Sequence, residues 1–190
     1  MCIFAKIKIM KKLLIIVSII FVLSCQSGDN KYIISSNSVG LITQETQINQ
    51  VSDLYPQDSV HQLNLDNKLA DINKKYVLYS KEGDKMLVLE PDGKADTSKV
   101  AQVEIISPKF KTEKGLHINS TYKQIYDNYE ITSIQKTLVN VIINLKKEGI
   151  YLAIDNDHLP EDLKYDDEAV IKSTQIPDDA PIKYFWVNLN

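Results

Sequence analysis

Apolar residues recur along this chain in two periods, and together they lay out the same order of elements twice. In the first run Ile48, Val51 and Tyr55 stand three and four residues apart, the spacing of one helix face. Tyr76-Val77-Leu78-Tyr79 and Met86-Leu87-Val88-Leu89 then flank Lys81-Glu82-Gly83-Asp84, which predicts a β-hairpin with glycine in its turn. Val103-Glu104-Ile105-Ile106 predicts a strand that closes the run. In the second run Tyr122, Ile125 and Tyr129 repeat the helical spacing. Val139 to Leu145 and Ile150 to Ile154 flank Lys146-Lys147-Glu148-Gly149, and Ile182-Lys183-Tyr184-Phe185-Trp186-Val187 predicts the last strand. Upstream, Tyr32 to Ile34 and Val39 to Ile42 are short strand candidates on either side of a Ser-Ser-Asn-Ser break.

The two runs align further. Gly40-Leu41-Ile42 precedes the first helix and Gly115-Leu116-His117 the second, and the helices register at a constant offset of 74. Thr46 and Ser120 stand two residues before the first apolar position of each helix, where a hydroxyl is expected to accept from first-turn amides. Ala101-Gln102-Val103 and Ala180-Pro181-Ile182 hold matching places ahead of the closing strands, and a proline at a strand start forfeits least. The expected class is α+β, with two similar subdomains over residues 39–110 and 111–190, each a short helix packed on an antiparallel sheet. This arrangement resembles the repeat of the β-lactamase inhibitor protein and of small outer-membrane assembly lipoproteins. The Gly-Met-Thr opening usual there is replaced by Thr46 and by Ser120-Thr121 without the Gly-Met pair, so the resemblance carries over no binding residue.

The N-terminus has a different pattern. Lys11 and Lys12 precede the apolar run Leu13 to Leu23, and Ser24 and Cys25 follow it. The run has about eleven residues where a spanning helix needs about twenty, which disfavours the alternative of an uncleaved membrane anchor. Val22-Leu23-Ser24-Cys25 resembles the lipobox of bacterial lipoproteins, although leucine at the second position is larger than usual. The resemblance implies removal of residues 1–24 as a signal peptide, acylation of Cys25, and an anchor and tether over residues 25–38. Gln26 after the cysteine, rather than aspartate, implies the outer membrane. Two or three acyl chains hold a protein firmly, since each buried CH₂ contributes about 0.8 kcal/mol.

Removing residues 1–24 takes away four lysines and no acids, leaving 18 lysines against 25 acidic residues and a formal charge of −7. The chain has no arginine, so the planar fork that reads phosphate and guanine is missing. Both facts argue against nucleic acid as a partner. The two cysteines are Cys2 and Cys25, which leaves the mature chain no disulfide, thiolate nucleophile or Cys-ligated zinc. Stability must come from an apolar core, for which 166 residues suffice as one domain or two small ones.

Candidate chemistry is sparse. There is no Gly-x-Ser-x-Gly elbow, phosphate loop, Gly-x-Gly-x-x-Gly or His-Glu-x-x-His, and no cofactor is expected. His61, His117 and His158 fall in separate elements without a local ligand pair. The acidic segment from Asp155 to Asp162 offers Asp155, Asp157 and Glu161 as candidate calcium ligands, but Pro160 stands where an EF-hand loop needs glycine, which favours a solvated loop. The same carboxylates carry the alternative reading of an envelope hydrolase. Alternation places Tyr184 and Trp186 on one face of the last strand and Phe185 on the other. If that sheet has an open face, Tyr184 and Trp186 form part of a binding surface for a peptide, glycan or partner protein; otherwise they finish the core. The sequence therefore reads as a membrane-anchored, non-enzymatic binding or structural module of the envelope.

Overall fold

Strand alternation and helical spacing converge on one buried apolar cluster, and the architecture follows from covering it. The computed structural model describes residues 30–63, 74–146, 149–166 and 169–189. The expected signal peptide, Cys25 and the tether as far as residue 29 lie outside the described residues.

Three very short strands come first: β1 (Ile33–Ser35), β2 (Ser38–Val39) and β3 (Ile42–Thr43). A 3-10 turn at Ile48–Gln50 leads into α1 (Val51–Leu54). Four strands follow: β4 (Ser59–Leu63), β5 (Lys75–Tyr79), β6 (Lys85–Pro91) and β7 (Val100–Ile105). After β8 (Lys111–Thr112) comes α2 (Tyr122–Asn128), then β9 (Ile131–Lys136), β10 (Asn140–Leu145) and β11 (Ile150–Asp155). A short α3 (Glu161–Lys164) and the final β12 (Tyr184–Asn188) complete the chain. The class is α+β, mostly sheet with a few short helices.

The strands form two sheets. The smaller has the order β3-β2-β1-β8, antiparallel except for the parallel β1–β8 pair. The larger has eight antiparallel strands in the order β4-β5-β6-β7-β12-β11-β10-β9. Both expected hairpins are present, β5–β6 and β10–β11. In the first, Gly83 takes φ 91°, a left-handed conformation natural to glycine, while its N–H donates to the Ser80 carbonyl at 2.9 Å. The two closing strands lie side by side: β7 pairs with β12, so both runs contribute to one continuous sheet.

One face of the large sheet is apolar throughout. Leu78, Leu87, Leu89, Val103, Ile105, Val141, Ile143, Leu152, Phe185 and Val187 are all buried there. The predicted helix faces cover this side: Ile48, Val51, Tyr55, Tyr122 and Ile125 belong to the same cluster, as do Ile34, Val39 and Ile42 of the small sheet. Ring size matters here, because the fully buried Tyr55, Tyr122, Phe110 and Phe185 fill the layer between short elements.

The helix starts differ from expectation by one residue. The N-caps are Gln47 and Thr121, and Gln50 and Gln124 reach back to accept from their backbone N–H groups at 3.0 and 3.3 Å. The hydroxyls of Thr46 and Ser120 do not cap the helices. They accept from the Thr43 and His117 amides upstream at 2.9 and 3.1 Å, which closes the preceding turn. Past each helix the chain is tied by similar backbone bonds: Ile48 N–H to the Ser98 carbonyl at 3.0 Å, and Tyr122 N–H to the Ala180 carbonyl at 2.8 Å. By these bonds Ala180 occupies the place of Ser98, not that of Ala101.

Candidate functional site

The other face of the large sheet is reached by solvent at most described positions, with Val77 and Ala153 buried among their neighbours. Glu90, Gln102, Glu104, Tyr151, Tyr184 and Trp186 stand on it, all half-buried. Cross-strand register fixes their neighbours. One line of facing residues runs from His61 at one edge to Ser133 at the other, passing through Glu104, Trp186 and Tyr151 at the centre.

Three rings form a stack at that centre. Trp186 lies 5.1 Å from Tyr151 with 22° between their planes, and 5.0 Å from Tyr184 with 21° between them. Phe185 points the other way and is fully buried. The alternation read from the sequence thus separates the final strand into a core ring and two ring-bearing positions on the open side. Tyr184 and Trp186 do not finish the core.

Charged groups border the stack on the β6–β7 side. Glu104 is directly opposite Trp186, and burial raises its carboxyl pKa, with Glu90 adding to the rise and Lys75 opposing it. Glu90 pairs with Lys75. The Tyr151 phenol is pushed up to about 12, first by burial and then by the Glu90 charge, and hydrogen-bonds with Gln102. The centre of the face is therefore an aromatic stack beside a partly desolvated carboxylate.

The acidic segment is elsewhere and differently occupied. Asp155 accepts from the Asp157 amide at 3.0 Å and from Lys183 Nζ at 2.7 Å, and Lys183 holds its carboxyl below the usual carboxylate range. Asp157 pairs with Lys164 at 2.5 Å, and Glu161 is exposed on α3. A carboxylate kept ionised by a lysine is a poor general acid, and a cation at this segment would have to displace both lysines. His61 packs edge-on to Tyr79, His117 accepts from the Asn119 amide, and His158 lies in the 3-10 turn after β11. Among the described residues no group of three or more His, Cys, Asp or Glu is placed to hold a metal ion.

A second concave feature, a cleft of about 320 Å³, lies where the small sheet meets the end of α2. Four of its polar side chains, Ser35, Thr112, Tyr129 and Lys114, are already engaged. Ser35 bonds Ser38 at 2.8 Å, Thr112 bonds Tyr129 at 2.5 Å, and Lys114 donates to the Asn128 carbonyl at 2.6 Å.

Sequence reasoning reached Tyr184 and Trp186 but not Tyr151, Glu104, Glu90, Gln102 or Lys75. The parity was legible, since Glu104 interrupts Val103 and Ile105, and Tyr151 interrupts Ile150 and Leu152. What joins them is the β7–β12–β11 order, which no local pattern encodes.

The fold and this face define an α+β protein whose single large antiparallel sheet is covered on one side and open on the other. The crystal structure of the uncharacterized protein YfeY from Escherichia coli is similar, with a TM-score of 0.55 at 10% sequence identity over 82% of this chain and 99% of that one. At such identity the likeness is one of fold. No protein family and no curated protein matches the chain.

Proposed function

We propose that the protein is a lipid-anchored binding module of the bacterial envelope, tethered through Cys25 and presenting the open face of its sheet to a partner. The observation that carries this reading is the half-exposed Tyr151–Trp186–Tyr184 stack at the centre of an uncovered face. Large apolar rings left in water cost free energy that a partner recovers, and such rings are enriched where proteins bind. The lipobox-like Val22-Leu23-Ser24-Cys25 motif supports the address. Asp155 and Asp157, two of the three carboxylates that would serve a hydrolase, are held by lysines, which favours binding over catalysis.

Within this reading the domain is two copies of one motif, residues 39–110 and 111–190. Support comes from paired details: Gly40 and Gly115 both have positive φ, and Thr46 and Ser120 make the same turn bond. Tyr55 and Tyr129 end the two helices with N–H bonds to Val51 and Ile125.

The test is affinity capture from detergent-solubilised envelope with the full-length protein, comparing wild type with a Tyr184→Ala, Trp186→Ala variant. Wild type should recover a specific protein or glycan that the variant does not. Identical recoveries from the two, or none from either under conditions where a control bait succeeds, would count against the open face as the binding surface. Intact-mass analysis checks the anchor: an acylated N-terminus starting at Cys25 is expected, absent in Cys25→Ser.

A further inference from the structure

Among the described residues, the four most exposed large apolar side chains lie at one end of the large sheet. Leu138, 82% exposed, and Val139 form the turn between β9 and β10. Val170, 84% exposed, and Tyr165 belong to the connection between β11 and β12. That connection leaves the sheet after Asp155, which faces Asn140 at the start of β10, and rejoins it at Tyr184, which faces Ala153. Lys136, the last residue of β9, links the two groups, its Nζ donating to the Asp166 carbonyl at 2.9 Å.

The β9–β10 turn is held firmly while it presents these side chains. The Thr137 N–H donates to the Asn140 carbonyl at 2.8 Å, and the Asn140 N–H donates to the Thr137 hydroxyl at 3.0 Å. Asn156 donates to the Val139 carbonyl from its backbone at 3.1 Å and to the Thr137 carbonyl from its side chain at 2.9 Å. Turn positions ordinarily take Gly, Asn, Asp, Pro or Ser, so Leu-Val at the tip is a departure that a watery setting does not explain. Backbone groups paired within the protein lose little on leaving water, and a bilayer admits only backbone of that kind.

We propose that this end of the sheet seats on a lipid surface, with Leu138, Val139, Tyr165 and Val170 entering the headgroup–acyl boundary of the bilayer. The inference rests on the reading of Cys25 as the lipidated residue. Cys25 precedes Tyr32 by seven positions, and seven residues span about 25 Å at most when fully extended. Tyr32 belongs to the same end of the molecule. Its ring packs edge-on against Phe110 at 5.2 Å, the Phe110 N–H donates to the Ser107 carbonyl, and the Ser107 N–H donates to the Met86 carbonyl near the start of β6. The acyl chains therefore hold the bilayer within reach of the end that carries the apolar side chains. The contact is apolar in character, since Lys136, Lys164 and Lys183 at this end are engaged by the protein's own oxygens and Glu161 and Asp162 are exposed beside them. Seated in this way, the strands rise from the membrane and the open face stands beside it, clear for a partner.

The mature chain has no cysteine besides Cys25, so an introduced cysteine takes a single label. The processed protein, its acylation verified by intact mass, is reconstituted into vesicles of phosphatidylethanolamine and phosphatidylcholine. An environment-sensitive nitrobenzoxadiazole label is placed at Leu138→Cys or, as the control, at Thr97→Cys in the exposed β6–β7 loop at the opposite end of the sheet. The Leu138 label should shift to the blue and be quenched at least about twofold by lipid spin-labelled near its headgroup, while the Thr97 label should do neither. Adding Val139→Asp and Val170→Asp should return the Leu138 label to the emission of the Thr97 label, and matched urea midpoints establish that every variant folds. Equal emission from the two labels, or no effect of the aspartate pair, overturns the inference and leaves the lipid anchor standing. A Leu138 label that reads water on acylated protein gives the patch to a protein partner and overturns it too, as does quenching that needs phosphatidylglycerol. A chain that retains residues 1–24 with Cys25 unmodified overturns the anchor and this inference with it.

Discussion

Tyr55 shows how a single side chain ties the first helix to the turn before it. Its ring is fully buried under the large sheet, and its hydroxyl accepts from the Leu41 amide at 3.0 Å. Tyr129 ends the second helix differently, bonding the Thr112 hydroxyl, which itself accepts from the Leu116 amide at 3.0 Å. The Tyr55 bond makes the phenol costly to remove, while burial makes it costly to ionise. Tyr55→Phe keeps the ring and strands an amide donor, so urea denaturation at pH 7 should show a loss of about 1 kcal/mol. Burial pushes the Tyr55 phenol up to about 12, while in the unfolded chain it ionises near 10. Below pH 10 both forms are neutral and the stabilisation is complete; between about pH 10 and 12 only the unfolded chain releases the proton, and stability falls with rising pH. The drop attributable to Tyr55 is about 2 kcal/mol, and a pH series of urea midpoints should be correspondingly shallower for Tyr55→Phe.

At the scale of elements, β12 is the piece on which the large sheet depends. It pairs with β11 on one side and β7 on the other, and its buried Phe185 faces the core at this junction. Phe185→Ala should cost about 3–5 kcal/mol by urea denaturation, because the hole opens where both half-sheets meet and neither can close it. This strand was also among the most legible in the sequence, since Tyr184, Phe185, Trp186 and Val187 alternate cleanly between two faces. The β5–β6 hairpin was legible for a related reason: two strong apolar strands bracket a glycine that the turn requires. By contrast β9, Ile-Thr-Ser-Ile-Gln-Lys, and β4, Ser-Val-His-Gln-Leu, are edge strands with few apolar residues and gave no period to read. The small sheet escaped in part because its strands are two or three residues long, and its parallel β1–β8 pair joins residues that are distant in sequence. The caps shifted by one residue because the Thr46 and Ser120 hydroxyls serve the turn behind them, a competition that spacing alone does not resolve. At the candidate site the ring-bearing positions of β12 were accessible from parity. Glu104 and Tyr151 joined them only through strand order.

For the molecule as a whole, cohesion should be highest at the seam and fall toward the two free edges. Strands β7 and β12 are paired on both sides and backed by Val103, Ile105, Phe185 and Val187, whereas among the described residues β4 and β9 each have one partner. Hydrogen-exchange mass spectrometry should therefore find the amides of β7 and β12 opening only with global unfolding and those of β4 and β9 exchanging earlier. The position of β12 has a further consequence, for the making of the protein. Among the described strands the one in the middle of the sheet comes last in chain order, so the ribosome has made every other described strand before the two halves can be joined. A message that stops before Tyr184 yields a chain whose β7 and β11 both remain as raw edges, each with unpaired N–H and C=O groups able to recruit strands from other molecules. Termination just before β12 would then be more damaging than the loss of one short strand suggests, producing a sticky fragment where a loss from an edge would produce a shorter sheet.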